Sequence, residues 1–216
     1  MAISVAVCVG DAVADALGAR LITKIGALKV GDGRAADSDM GPLISAAHRD
    51  VVAGYIASGV RDGASLIVDG RTHEAGKGYF LGASLFDHVT PDMDIYQHEI
   101  FGPVLCIVRV GSLGEAICLA NQHPYGNGAC IFTRDGEVAR KFAETIKVGM
   151  AGVNVALPVP VAIHSFGGWK KSLFGDLYAY GPDAIRFYTR RKTITQRWPG
   201  SSVQEKAEFS FPVVNR

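Results

Sequence analysis

The chain has 216 residues and a mass of 22.9 kDa, enough for one large domain or one domain with an appendage. Apolar residues make up 48% and charged residues 20% of the sequence, proportions that exclude a disordered or fibrous chain. The net charge is +1 and no cluster of Lys or Arg stands out. Nucleic acid and membrane surfaces are therefore disfavoured as main partners.

The first half of the chain alternates apolar runs with helical patterns. Residues 1–9 are continuously apolar and lack a basic leader, which predicts a strand buried on both faces, an internal strand of a longer protein, rather than a signal peptide. A helix should follow Asp11, because four apolar residues recur every fourth position: Val13, Leu17, Leu21 and Ile25. A second helix around Val52 and a short strand from Ser65 to Val68 complete this half.

The middle of the chain is the most regular part. Apolar strands are predicted at 104–110, 128–133 and 150–155, with a helix in each interval. Ser112 and Glu115 form a capping box before the first helix, and Asp135 suits the N-cap of the second. The order strand–helix–strand–helix–strand predicts an α/β fold in which a parallel-type open sheet has helices on both faces.

The last segment, from Arg186 to Thr195, alternates and is rich in β-forming residues, yet it is heavily charged. This pattern is typical of an exposed edge strand that pairs with another chain. We therefore divide the sequence into a domain at 1–185 and an oligomerisation strand with its tail at 186–216.

All four cysteines lie in apolar runs: Cys8, Cys106, Cys118 and Cys130. They show neither CxxC pairs nor a nearby His at metal-ligand spacing, so no metal site is predicted. We expect buried, reduced thiols in a cytoplasmic protein. A nucleophilic cysteine needs exposure and a lowered pKa, and nothing in the sequence indicates either. No catalytic residue is therefore assigned within the chain.

The loop from His98 to Pro103 precedes a predicted buried strand. Glu99 and Phe101 are two residues apart in an extended loop and should point the same way. A carboxylate and an aromatic ring on one side could bind a planar, hydroxylated ligand. The alternative is a turn with an exposed Glu99 and a core Phe101.

A second candidate loop contains Phe166, Gly167 and Gly168. Two glycines between aromatic residues indicate unusual backbone angles or a tight contact. The loop either lines a pocket or forms a structural glycine turn. His164 and Ser165 do not suit a catalytic dyad, because adjacent residues of an extended loop point to opposite sides.

The Glu-Ile-Phe-Gly-Pro stretch at 99–103 and the Phe-Gly-Gly-Trp-Lys stretch at 166–170 together resemble the aldehyde dehydrogenase superfamily. The resemblance covers nearly the whole chain. It implies that residues 1–185 are the catalytic domain without the N-terminal cofactor domain, and that the strand in 186–216 joins subunits of a homo-oligomer. The stretch at 164–176 and the tail resemble more narrowly a branch that transfers its acyl group to coenzyme A.

The resemblance also assigns roles to single residues. It implies that Glu99 grips the nicotinamide ribose of NAD and that Phe101 packs near the nicotinamide. His48 falls near a position that in some relatives touches the adenosine ribose. Phe166 matches an aromatic residue that lines the acyl pocket, and Asn154 matches an asparagine that braces the catalytic loop.

In the superfamily the catalytic cysteine directly precedes the strand with which this chain opens. We therefore expect the nucleophile just before Met1, and weak or absent NAD binding and no dehydrogenase turnover by these 216 residues alone. The intact enzyme would oxidise a small semialdehyde with NAD, release CO2 and pass the acyl group to coenzyme A. Two alternatives are a non-catalytic oligomerisation or binding module and part of a hydrolytic aldehyde dehydrogenase that uses water.

Overall fold

The computed structural model describes residues 3–73, 78–196 and 198. A four-stranded sheet contains β1 (Val5–Val9), β2 (Ser65–Val68), β3 (Ser84–Asp87) and β4 (Val104–Val110) in the order β1-β4-β3-β2. β4 is parallel to both β1 and β3, whereas β2 is antiparallel to β3. The sheet is therefore mostly parallel with one antiparallel edge.

Helices cover both faces of this sheet, as predicted. On one face α1 (Asp11–Ala27) places Ala14 against a small core with Cys8 and Ile107. On the other face α2 (Ala46–Arg61) contributes Val52 to a larger core that includes Phe86 and Val108. Three of the four residues predicted to face the core from α1 pack against it, namely Leu17, Leu21 and Ile25. The prediction is wrong for Val13, which is exposed, whereas its neighbour Ala14 is fully buried.

The strand β1 differs from its prediction. It lies at the edge of the sheet with β4 as its only strand neighbour among the described residues. Cys8 is buried, but Val9 is exposed and the other three residues are half-buried. Burial of both faces is therefore not observed over these residues.

Further elements follow in chain order: α3 (Asp94–Gln97) before β4, then α4 (Leu113–Gln122), β5 (Tyr125–Gly126), β6 (Gly128–Ile131), α5 (Gly136–Thr145), β7 (Met150–Val153), β8 (Trp169–Lys170) and α6 (Asp183–Tyr188). A 3-10 turn at Gly70–Thr72 precedes β3. Within the described ranges no helix has the length and apolar character required to cross a bilayer.

The three strands predicted to share one sheet are divided between two. β6 and β7 pair in parallel with each other in a separate two-stranded ladder, whereas β4 belongs to the four-stranded sheet. α4 and α5 pack beside β6 and β7 through a third core built around Ile117 and Phe142. The parallel direction was predicted correctly, but the single continuous sheet was wrong for these strands.

Both predicted helix caps are confirmed. The backbone N–H of Glu115 donates to the Ser112 hydroxyl, and the Glu115 carboxylate accepts from the N–H of Gly111 at 2.9 Å. The Asp135 carboxylate accepts from the N–H groups of Glu137 and Val138. These side chains satisfy N-terminal donors that the helices cannot pair internally.

The predicted strand from Arg186 to Thr195 is wrong for its first three residues. Arg186, Phe187 and Tyr188 belong to α6, and residues 189–196 are assigned to neither helix nor strand. A strand needs a neighbour to pair its backbone groups, and the short helix satisfies them locally instead. Residues 197 and 199–216 of the predicted tail lie outside the described residues.

Candidate functional site

The loop between α3 and β4 is fixed by a buried residue at its centre. Ile100 is 5% exposed and belongs to the main core, whereas Phe101 is 76% exposed. Glu99 is also exposed. A carboxylate and an aromatic ring thus project outward on either side of Ile100, and the alternative of a core Phe101 is wrong.

The first turns of α2 hold this loop from the side. The ring Nε2 of His48 lies 2.8 Å from the carbonyl oxygen of Phe101 and donates to it. A Cβ on Gly102 would lie 2.6 Å from Val52, one helical turn after His48. Phe101 has a φ of 57°, a left-handed conformation that side-chain-bearing residues seldom adopt without support from their surroundings. The structure therefore brings His48 and the Phe101 backbone together.

Asn154 ties the ends of two strands together. Its side-chain amide makes a two-way bridge to the backbone of Thr133, accepting from the N–H and donating to the C=O, both at 2.9 Å. Its own N–H donates to the carbonyl of Ile131, the last residue of β6. With a φ of 55°, Asn154 occupies a left-handed conformation that Asn tolerates better than most residues. It acts as a brace after β7.

The loop at 166–168 packs against a surface of tyrosines. The ring of Phe166 stacks on Tyr180 at a centroid distance of 4.8 Å and an interplanar angle of 14°. A Cβ on Gly167 would lie 2.5 Å from the Tyr178 ring. Gly167 is therefore required for close packing, and Phe166 is held half-buried with one ring face covered.

An open cleft of about 300 Å³ runs along α2 and is lined in part by Tyr55, Ser58 and Asp94. The Tyr55 and His98 rings have centroids 6.1 Å apart, and His98 is next to Glu99 in the chain. The cleft thus presents an aromatic ring beside both polar and charged groups.

The cysteines are less uniformly buried than predicted. Cys8 and Cys106 are buried, Cys130 is half-buried and Cys118 is exposed on α4. Burial raises the pKa of the Cys106 thiol to about 12, and it also raises the pKa of Cys8 and Cys130. A raised pKa disfavours the thiolate, which is the nucleophilic form.

Direct contacts join His48 to the Phe101 loop, whereas Asn154 contacts Thr133 and Phe166 contacts Tyr180. The sequence did not indicate Thr133 or Tyr180, because each lies 14 or more residues from its partner. The repeated aromatic residues after Gly168 were the one available signal for the tyrosine surface.

These features define a class of protein. The sequence profile of the aldehyde dehydrogenase family matches residues 1–194. The chain belongs to the aldehyde dehydrogenase family, a family of oxidoreductases, and the resemblance found from its two loops is confirmed.

Individual relatives show which members of the family the chain is similar to. The chain is 66% identical over 215 residues to a malonate-semialdehyde dehydrogenase of Pseudomonas aeruginosa, covering 98% of this chain and 43% of the relative. It superimposes with a TM-score of 0.86 and 56% identity on the crystal structure of a methylmalonate-semialdehyde dehydrogenase from Oceanimonas doudoroffii, covering 94% of this chain and 42% of that one.

A third relative was solved with a cofactor. A Sinorhizobium meliloti protein described as a methylmalonate-semialdehyde dehydrogenase, complexed with NAD, gives a TM-score of 0.87 at 50% identity over 94% of this chain and 42% of its own. The chain thus spans less than half the length of these relatives, all three of which are named as dehydrogenases of malonate or methylmalonate semialdehyde.

Proposed function

We propose that this chain is the catalytic-domain part of an NAD-dependent, CoA-acylating dehydrogenase for malonate or methylmalonate semialdehyde. The observation that carries the proposal is the loop around Ile100. Burial of Ile100 leaves Glu99 and Phe101 facing outward. The chain that carries this loop is 66% identical to a malonate-semialdehyde dehydrogenase. The four free cysteines support a cytoplasmic location, because thiols stay reduced there.

The exposed groups of this loop suit NAD, which accepts a hydride when it is bound. The Glu99 carboxylate can accept hydrogen bonds from both ribose hydroxyls, and the Phe101 ring offers a face to the nicotinamide. His48 would complete this side from α2, beside the adenosine ribose. The role of Glu99 is orientation, since a displacement of about 1 Å at the reacting atoms can cost on the order of 100-fold in rate.

On the substrate side, Phe166 would form a wall of the acyl pocket and Asn154 would brace the loop that carries the nucleophile. We place that nucleophilic cysteine outside these 216 residues, because burial disfavours the thiolate of Cys8, Cys106 and Cys130 and Cys118 lies within α4.

The substrate chemistry explains why coenzyme A and CO2 both appear in the proposal. Oxidation of the aldehyde to a thioester leaves the substrate carboxylate β to the new carbonyl. Loss of CO2 is then favourable, because that carbonyl delocalises the electron pair left behind. Coenzyme A takes the acyl group, which gives acetyl-CoA from malonate semialdehyde and propanoyl-CoA from methylmalonate semialdehyde.

The test uses an enzyme that contains this chain, supplied with each semialdehyde, NAD and coenzyme A. We expect NADH and the matching acyl-CoA in equal amounts. Glu99→Ala should lower kcat/KM about 100-fold, whereas Glu144→Ala, at an exposed position on α5, should stay within twofold. A free carboxylic acid formed with or without coenzyme A would instead support the hydrolytic alternative. The absence of NADH would favour the binding-module alternative.

A further inference from the structure

The carboxyl end of α4 is closed by a residue far away in sequence. The last carbonyls of a helix lack intrahelical donors and carry the negative end of its dipole. α4 has no basic residue in its own last turn. The Lys170 ammonium fills this place: Nζ donates to the carbonyls of Asn121 and His123 at 3.0 Å each and approaches that of Ala120 at 3.4 Å.

The backbone of Lys170 is unsuited to a lysine. Its φ of 54° lies in the left-handed region, where glycine or asparagine would fit with less strain. The stem of the side chain crosses Gly126, where a Cβ would lie 3.3 Å from Lys170 Cδ. The left-handed backbone of Lys170 and the absence of a side chain at Gly126 together allow the ammonium group to reach the carboxyl end of α4.

The same residue anchors the loop that contains Phe166. β8 pairs with β5 through Lys170 and Tyr125, and the N–H of Lys171 donates to the carbonyl of Pro124. Ahead of β8, a Cβ on Gly149 would collide with the carbonyl of Gly167. The backbone from Gly167 to Lys171 is therefore held against fixed parts of the structure on both sides of Trp169.

We propose that Lys170 is a positioning residue for Phe166, which it holds in place by anchoring β8 to the carboxyl end of α4. This inference rests on the proposed function, in which Phe166 lines the acyl pocket. It concerns how that wall is fixed and assigns a role to a residue that touches neither substrate nor cofactor.

The loop itself supplies the first test. The Trp169 indole N–H donates to the Tyr178 hydroxyl at 3.2 Å, so its ¹H–¹⁵N signal reports on the packing of the loop. The chain has two tryptophans, and a W198F background leaves only this signal. In that background Lys170→Met and Lys170→Gly should move the signal toward its unfolded position. Lys170→Arg should retain it, and the neighbouring Lys171→Met should leave it unmoved.

The change in Tm caused by Lys170→Gly shows whether the ammonium group stabilises the protein. Glycine relieves the left-handed strain, so this variant should be at least as stable as the parent if the ammonium is dispensable. We expect instead a Tm lower by about 5 °C, because the carbonyls of α4 lose a charged donor. A Tm equal to or above that of the parent overturns the proposal, and the comparison remains valid if Lys170→Met fails to fold.

Kinetics then separates positioning from general stability. In the active enzyme Lys170→Met should raise KM for the semialdehyde about tenfold and leave KM for NAD within twofold, with Lys171→Met changing neither. An unmoved indole signal overturns the proposal, as does a moved signal with an unchanged aldehyde KM. If the parent enzyme has no acylating activity, the proposed function fails, while the indole signal and the Tm still decide whether Lys170 anchors the loop.

Discussion

At the scale of single residues, the candidate site depends on side chains in strained backbone conformations. Positive φ angles occur at Phe101, Asn154 and Lys170. Each of these residues also makes a specific hydrogen bond to a residue distant in sequence. The sequence identified Phe101 through its spacing from Glu99, whereas it identified Asn154 only through the family resemblance. Lys170 was not identified, because its carbonyl partners lie about 50 residues earlier in the chain and no local pattern connects them.

The bridge from Asn154 gives a prediction on stability. Asn154→Gly keeps the backbone conformation but removes both side-chain hydrogen bonds to Thr133, so we expect a loss of about 1–2 kcal/mol in the free energy of unfolding. Asn154→Ala should lose about 1 kcal/mol more, since alanine is strained at this φ. Urea denaturation of the two variants measures this difference. Equal stability of the two would show that the positive φ carries no strain.

The cysteines give a second prediction at this scale. Cys118 is exposed, whereas burial raises the pKa of Cys106 to about 12. A thiol reagent at pH 8 should therefore modify Cys118 first and leave Cys106 unmodified until the chain unfolds. Mass spectrometry of digested samples reads out the sites, and Cys118→Ser should abolish the fast phase. Rapid labelling of Cys106 in folded protein would contradict the prediction.

At the scale of elements, local sequence patterns predict the helix caps correctly, but they do not predict which strands become neighbours. The caps at Ser112 and Asp135 could be predicted because each side chain bonds to an N–H within three residues. The division of the strands into two ladders could not, since hydrophobic runs alone do not specify which strands become neighbours. The tail shows the same limit: alternation favours a strand, but its start forms α6.

A charged cluster links two strands of the four-stranded sheet, β3 and β4, to the first helix, α1. Arg109 on β4 binds both oxygens of Asp87, at the end of β3, at 3.0 and 2.6 Å. It also reaches Asp11 and Asp15 on α1. The guanidinium lowers the pKa of the buried Asp87 carboxyl. The stabilisation from this pair is therefore present above the unfolded carboxyl pKa of about 3.9 and is lost as the pH falls through the lower folded pKa.

Arg109→Met should consequently lower Tm at pH 7 by about 10 °C, because the buried Asp87 loses its partner. The deficit should shrink as the pH falls from 7 toward 3, because the unpaired carboxyl takes up a proton and its burial makes this begin above the ordinary carboxyl pKa of about 3.9. Arg34→Met serves as the control, since Arg34 and Asp32 form a similar pair that is exposed and should contribute little. Scanning calorimetry from pH 7 to pH 3 makes the comparison, and a deficit independent of pH would exclude this mechanism.

At the scale of the whole molecule, the C-terminal third exposes many large apolar side chains. Phe174 is 99% exposed, and Ile163, Ile185 and Tyr188 are exposed as well. Large apolar side chains left in water are typical of surfaces that bind other proteins when they are contiguous. The sequence predicted contact with another chain in this region through a strand, and the described residues instead present side chains of loops and α6.

We therefore expect the chain to associate with itself as concentration rises. Sedimentation velocity between 5 and 500 μM should show an increasing weight-average mass, and a double variant, Phe174→Ser with Ile185→Ser, should reduce it. A matched change elsewhere in the chain, Ile22→Ser at an exposed position of α1, should have little effect. A monomer across the full concentration range would argue against an interaction surface here.

The separation of the β6–β7 ladder from the four-stranded sheet also affects how the molecule opens. The strands next to Phe166 and Asn154, β8 and β7, pair with β5 and β6 in two-stranded ladders. The strand that follows Glu99, β4, pairs instead with β3 in the four-stranded sheet. Amide protons of the two regions should then exchange with solvent at different free energies, those of β6 and β7 sooner. The region around Phe166 and Asn154 should thus loosen and re-form while the region around Glu99 keeps its shape.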